Sequence, residues 1–196
     1  MKTLEVRRHS LTKKGAAREQ GSLLSSEGVR LARLLGDTLP RFDHVLTGPD
    51  RRHVETAIAL GHAVDEMINW PSGYVPMVVG HHDQWRWDHP YERYSELLLQ
   101  SQELRDVADE HLQHWRRAVD QVPAGGAALV ISSGGSIEPV LVRAVQGGDM
   151  AGWGSALHHL DGATLTFEEG TCVDVRVHHG WVQERVSSRS SDPTES

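Results

Sequence analysis

The sequence predicts an α/β fold: a three-layer αβα sandwich around a mostly parallel central sheet, ending in a β-hairpin. Three observations predict it. Strand-like and helix-like segments alternate from the N-terminus onward. "AALVIS" at 127–132 is a continuous apolar run bounded by turn residues, as in a strand covered on both faces. "ATLTFEEGTCVDVRV" alternates on each side of "EEG", the pattern of a hairpin.

The elements follow in order. "LEVRR" at 4–8 reads as a first strand leading into His9 and Ser10, with Lys13, Lys14, Gly15 and Gly21 marking a loop after it. "SSEGVRLARLLGDTL" offers Ser25 and Ser26 as N-caps and spaces Val29, Ala32, Leu35 and Leu39 for an amphipathic helix. "FDHVLT" at 42–47 is a second strand, and "GPDRRHVETAIALG" is a turn and second helix, with Pro49 at its start and Gly61 at its end. "AVDEMINW" offers a third strand, weakened by Asp65 and Glu66.

Residues 70–90 hold Trp70, Trp85, Trp87 and three prolines with no period, an irregular excursion over the surface. From Tyr91 to Gln121 the pattern is helical, with Leu97, Leu104, Leu112, Trp115 and Val119 on one face. Ser136 is expected to cap a helix over Ile137 to Val145, which would leave Pro139 harmlessly in the first turn. One domain is expected over 1–186, and the polar "SSRSSDPTES" at 187–196 reads as a disordered tail.

Composition excludes several functions. No apolar run approaches the roughly 18 residues of a membrane span, and no apolar segment follows Lys2, so a cytoplasmic protein is expected. Cys172 is the single cysteine, which rules out an internal disulfide and reads as a buried structural thiol. The net charge of −7 argues against nucleic acid and anionic membranes as partners, so any anion site is local. Among 13 histidines, the doublets at 81/82, 158/159 and 178/179 and the pair His111 and His114 read as incidental rather than as metal ligands. Neighbouring strand residues point to opposite faces.

Three groups with phosphate chemistry fall at strand ends or helix starts: Arg8 and His9, Arg51 and Arg52, and Ser133 to Ser136. In open α/β sheets such groups converge at the carboxyl ends of the strands. Arginine forks grip phosphate, a deprotonated imidazole can accept a phosphoryl group, and a small turn at a helix start adds N–H donors.

"RRHS" at 7–10, "LSSEG" at 24–28, "TGPDRRHVETA" at 47–57 and "ALVISSGGSI" at 128–137 occur in an order that resembles the histidine phosphatase, or phosphoglycerate mutase-like, superfamily. Ser10 stands for the family's glycine, Gly48 for its serine, His53 for its alanine and Ser133 for its second histidine. The resemblance implies a phosphoglycerate mutase-like sandwich and a phosphohistidine formed on His9. It implies Arg8 and Arg52 as the phosphate clamp, with Ser10, Ser133 and Gly134 against the substrate. The family's carboxylate proton donor has no clear counterpart; Asp83 is the first choice, with Asp88 and Glu66 behind it.

The expected activity is metal-independent hydrolysis of a phosphomonoester, carried by a small molecule or a phosphoprotein, with no cofactor. The alternative is a catalytically impaired protein of the same fold that binds a phospho-ligand. Serine can donate a hydrogen bond but carries no charge, so Ser133 is expected to slow the reaction by about ten- to a hundred-fold. Ser133→His is accordingly expected to raise turnover.

Overall fold

The computed structural model describes residues 1–14, 22–145 and 148–182. The loop positions Gly15 and Gly21 and the tail at 187–196 lie outside the described residues.

Six strands form one sheet in the order β3-β2-β4-β1-β5-β6. β1 (Lys2–Arg8), β2 (His44–Thr47), β3 (Glu66–Met67) and β4 (Ala127–Ser132) run parallel, while β5 (Gly162–Glu168) and β6 (Thr171–His178) add the antiparallel hairpin. Glu169 and Gly170 turn that hairpin in left-handed conformations, at φ 48° and 79°. The third strand is only two residues long.

Alternation along the central strands sorts the core into two layers. Ala128 and Val130 of β4, with Leu4 and Val6 of β1, face α3 (Pro90–Gln100), α4 (Gln102–Asp120) and α5 (Gly134–Val145). Leu129 and Ile131, with Val45 of β2, face α1 (Ser26–Gly36) and α2 (Arg51–Ala59). A strand covered on both sides has no polar face, hence the unbroken apolar run of β4. The expected three-layer sandwich is the observed one.

Ser25 is the cap of α1, its side chain accepting from the Gly28 N–H at 3.0 Å. Gly28 is where α1 lies directly on the β1 loop: a Cβ there would collide with the Leu11 carbonyl oxygen. The helical stretch after Tyr91 is two helices rather than one, broken at Ser101. That serine is extended and its hydroxyl caps α4 by accepting from Leu104 N at 3.2 Å. A serine inside a helical period competes with the backbone in this way.

The helix after β4 starts earlier than expected. Its first hydrogen bonds run from Ser136 N and Ile137 N to the Ser133 carbonyl, both at 3.0 Å. Ser136 is therefore inside α5, not its cap, and Pro139 lies beyond the first turn. Its missing N–H leaves the Gly135 carbonyl without the usual helical donor. Cys172 is half-buried rather than buried, with its thiol on the Asp174 carbonyl at 3.6 Å. No helix among the described residues is long and apolar enough to cross a membrane.

Candidate active site

β1 and β4 pair in parallel up to Arg8 and Ser132, so their carboxyl ends open side by side. The chain beyond β1 is pinned on both flanks: Arg8 N donates to Asp161 O at 2.8 Å, His9 N to Ser132 O at 2.9 Å, and Leu160 N to Arg8 O at 3.2 Å. β2 pairs with β4 on its other side, and α2 starts just past β2. Arg8, His9, Arg52, Ser133 and Gly134 thereby meet around a pocket of about 360 Å³. Thr12, Ser22, Tyr74, His81, His82, Trp85 and His159 complete its wall.

His9 is held in one tautomer. Its Nδ1 lies 2.8 Å from the Ser10 carbonyl oxygen, which can only accept, so Nδ1 carries the proton and Nε2 keeps a lone pair. Burial, then the positive charge of Arg8, holds its pKa well below the usual imidazole value. The ring is neutral at neutral pH, the state a phosphoryl acceptor requires.

Arg8 is buried, and burial pulls its pKa down. Its Nη1 donates to Leu157 O at 2.6 Å, while Leu157 N donates to Glu138 Oε1 at 2.7 Å. Glu138 is wholly enclosed, and burial pushes its pKa up to about 7. The guanidinium carbon of Arg8 also lies 4.6 Å from the centre of the Trp85 ring, within cation–π range. Arg8 is thus fixed from behind and covered from above.

Ser133 Oγ receives Arg52 Nη2 at 3.4 Å and faces His53 Nε2 at 3.0 Å. Burial and Arg52 lower the pKa of His53 to about 3, so this ring too is neutral. Its Nδ1 is buried without a partner. A bare lone pair is cheaper to bury than an orphaned N–H, which places the proton on Nε2, donating to Ser133. With two donors on its oxygen, the Ser133 hydroxyl is left to donate into the pocket.

Two arginines, a neutral imidazole with a free nitrogen, a hydroxyl donor and the first turn of α5 surround one small volume. The N–H of Gly134, the first residue of α5, precedes the helix's own hydrogen bonds, and such groups attract anions. No protein-family model and no curated protein sequence matches the chain. Solved structures do. The Entamoeba histolytica phosphoserine phosphatase in complex with 3-phosphoglyceric acid superposes at TM-score 0.57 with 17% identity, over 91% of this chain and 98% of that one. A Bacillus anthracis phosphoglycerate mutase gives 0.60 with 17% identity over 96% of each chain. The protein histidine phosphatase SixA complexed with tungstate gives 0.58 with 14% identity, over 90% and 96%. This chain has the histidine phosphatase fold.

On that fold, the expected residues are placed unequally. Arg8, His9, Arg52, Ser133 and Gly134 line one pocket, and Arg51 points away, exposed, 4.0 Å from Glu55. Ser10 does not line it. Its hydroxyl donates to Gly28 O at 2.7 Å and its N–H to Thr56 Oγ1 at 3.0 Å, so it is a strut between β1, α1 and α2. The physical reason is alternation: beside His9, its side chain turns to the opposite side of the chain.

No carboxylate lines the pocket among the described residues. Asp83 Oδ2 instead accepts from Gly80 N at 2.7 Å, closing the turn before the 3-10 segment Asp83–Arg86. Glu66 is at the sheet edge beside His44 and Arg117. Asp88 lines a separate hollow with Trp87 and Glu92.

Sequence reasoning missed His53 and His159. His53 occupied the family's alanine position and looked like a mere departure, yet its ring is 5.6 Å from His9 and bonded to Ser133. His159 belongs to a doublet read as incidental, yet it lies edge-on to His9 at 5.4 Å, and burial lowers its pKa to about 4. His81 and His82 also line the pocket. The signal was present in the excess of histidine near these segments, but nothing local gave it direction. Among the described residues no group of three or more His, Cys, Asp or Glu side chains is placed to hold a metal ion.

Proposed function

We propose that the chain is a phosphatase that hydrolyses a phosphomonoester through a phosphohistidine on His9. The observation that carries this reading is the tautomer of His9, with Nδ1 tied to the Ser10 carbonyl and Nε2 free beside Arg8 and Ser133. Arg8 and Arg52 grip the phosphoryl oxygens, joined by the Ser133 hydroxyl and the Gly134 N–H at the start of α5. His9 Nε2 attacks phosphorus in line, the N–P bond forms as the ester P–O bond breaks, and the leaving oxygen takes its proton from solvent water at the open rim. Water then attacks the phosphohistidine, giving inorganic phosphate and restoring neutral His9. The two guanidiniums and the helix start meet the charge on the phosphoryl group.

Hydrolysis suits the site better than mutase action. His81, His82 and Trp85 at the rim are exposed, so water has access to an intermediate. The substrate is a small phosphorylated molecule or a phosphoprotein. The test is His9→Ala against an aryl phosphate, together with trapping of acid-labile labelled phosphate on the wild type. Equal rates in the two proteins would overturn the reading.

A phospho-ligand binder with little turnover is favoured by two observations: the absence of a carboxylate from the described pocket wall, and the pairing of Arg52 with Asp50. Labelled phosphate on wild-type His9 excludes it.

A further inference from the structure

Beside the phosphate pocket lies a second hollow of about 290 Å³. The two share Arg52, Tyr74, His81 and Ser133 in their walls, so the second hollow adjoins the place a phosphate would occupy in the first. Past these shared residues the side chamber is lined by Asn69, Trp70, Pro71, Ser72, Asp50 and His53.

The chamber wall is built rather than loose. Gly73 N donates to Ser136 Oγ at 3.2 Å, and a Cβ on Gly73 would strike the Gly135 carbonyl that Pro139 leaves free. His111 Nε2 donates to the Pro71 carbonyl at 2.8 Å, and its ring lies 5.0 Å from that of Trp70. The 70–74 segment is thereby fastened to both α4 and α5.

Its chemistry is selective. Trp70, Pro71 and Tyr74 offer flat apolar surface, and Asn69, Ser72 and Ser136 offer neutral polar groups. The acidic and guanidinium side chains among its described residues, Asp50 and Arg52, pair with each other, and no lysine lines it. A carboxylate on the substrate would find no unpaired guanidinium or ammonium here. A ring would find surface and room, since about 150 Å³ is enough for benzene.

We propose that the side chamber is a leaving-group subsite that selects phosphomonoesters of uncharged, ring-bearing alcohols, with Trp70 as its principal contact. The inference rests on the phosphatase reading above and extends it to substrate class.

Benzyl phosphate and ethyl phosphate test it, because their alcohols are of similar acidity and differ in the ring. The wild type is expected to favour benzyl phosphate by about tenfold or more in kcat/KM. Trp70→Ala should bring that ratio to within about threefold, and Ser72→Trp, which fills the chamber from an exposed position, should do the same. A wild-type ratio near one, or a ratio that neither variant moves, would overturn the subsite. His9→Ala is measured alongside. Rates lost in His9→Ala with a flat ratio in the wild type sink the subsite alone, whereas His9→Ala rates equal to wild type, or no hydrolysis of either ester, sink the phosphatase reading and the subsite with it.

Discussion

His53 Nε2 lies 3.0 Å from Ser133 Oγ, so an imidazole from α2 stands directly behind the hydroxyl at the end of β4. By resemblance, position 133 is where the family carries its second histidine and position 53 is where it carries alanine. The chain holds the ring one layer further back and reaches the pocket through serine. The arrangement keeps a hydrogen-bond donor at the pocket without adding a third cation to Arg8 and Arg52, since His53 is neutral.

This pairing reverses the simplest expectation for Ser133→His. The new ring would compete for space with the buried His53 ring, so Ser133→His alone should be slower than wild type. Adding His53→Ala should restore about tenfold of that loss. Steady-state turnover of an aryl phosphate decides it: a faster single variant would show that the two positions are independent.

His53→Ala by itself should reduce kcat by about five- to tenfold, the worth of one buried hydrogen bond. Ser133→Ala should cost a similar factor, and the double variant should cost no more than the larger of the two. Losses that multiply would mean that His53 and Ser133 do not act as a unit.

Trp85 and Trp87 should separate cleanly. Trp85 is 41% exposed and covers Arg8, so Trp85→Ala should raise KM about fivefold with little change in melting temperature. Trp87 is half-buried and packs edge-on against Tyr94 at 5.1 Å, and Trp87→Ala should cost about 2 kcal/mol of stability. Denaturant unfolding with parallel kinetics on both variants checks the split.

Asp83→Asn should leave turnover within about twofold, because an amide oxygen can still accept from Gly80 N. A loss of about a hundredfold would return Asp83 to the role of proton donor.

Acid should destabilise the protein. His9, His53, His111 and His159 are all held neutral by burial, the last three at about 3, 4 and 4. Unfolded, each takes a proton near its ordinary pKa of about 6.5, so the unfolded state binds more protons and stability falls as pH drops below that value. Glu138 at about 7, and His179 raised by its bond to Asp161, oppose this because they hold protons in the fold. With His62, His114 and His178 lowered as well, seven groups outweigh two, and the melting temperature should drop by roughly 5 °C or more from pH 7 to pH 5. A melting temperature that rises over that range would contradict the balance.

The order of strands and helices was legible because apolar period and punctuation are local properties. The unbroken run of β4, the alternation of β5 and β6, and the caps at Ser25 and Gly61 each follow from residues a few places apart. The convergence of Arg8, His9, Arg52 and Ser133 was legible too, since parallel strands deliver their carboxyl ends to one edge. The break at Ser101 was not, because the apolar stripe continues through it and only the extended backbone there reveals the cap.

What tertiary structure alone decided is which side chains touch. Ser10 turns to Gly28, Asp83 closes its own turn, and His53 meets Ser133 across 80 residues of sequence. That last contact depends on β2 lying beside β4, with Thr47 opposite Ile131, so that α2 and α5 start side by side. Sequence period sets which face of an element a residue occupies, but the register between elements distant in the chain sets what it meets there. For this protein the sequence determined that His9, Arg8 and Arg52 meet in one pocket, and packing determined the second imidazole, His53, that stands behind Ser133 there.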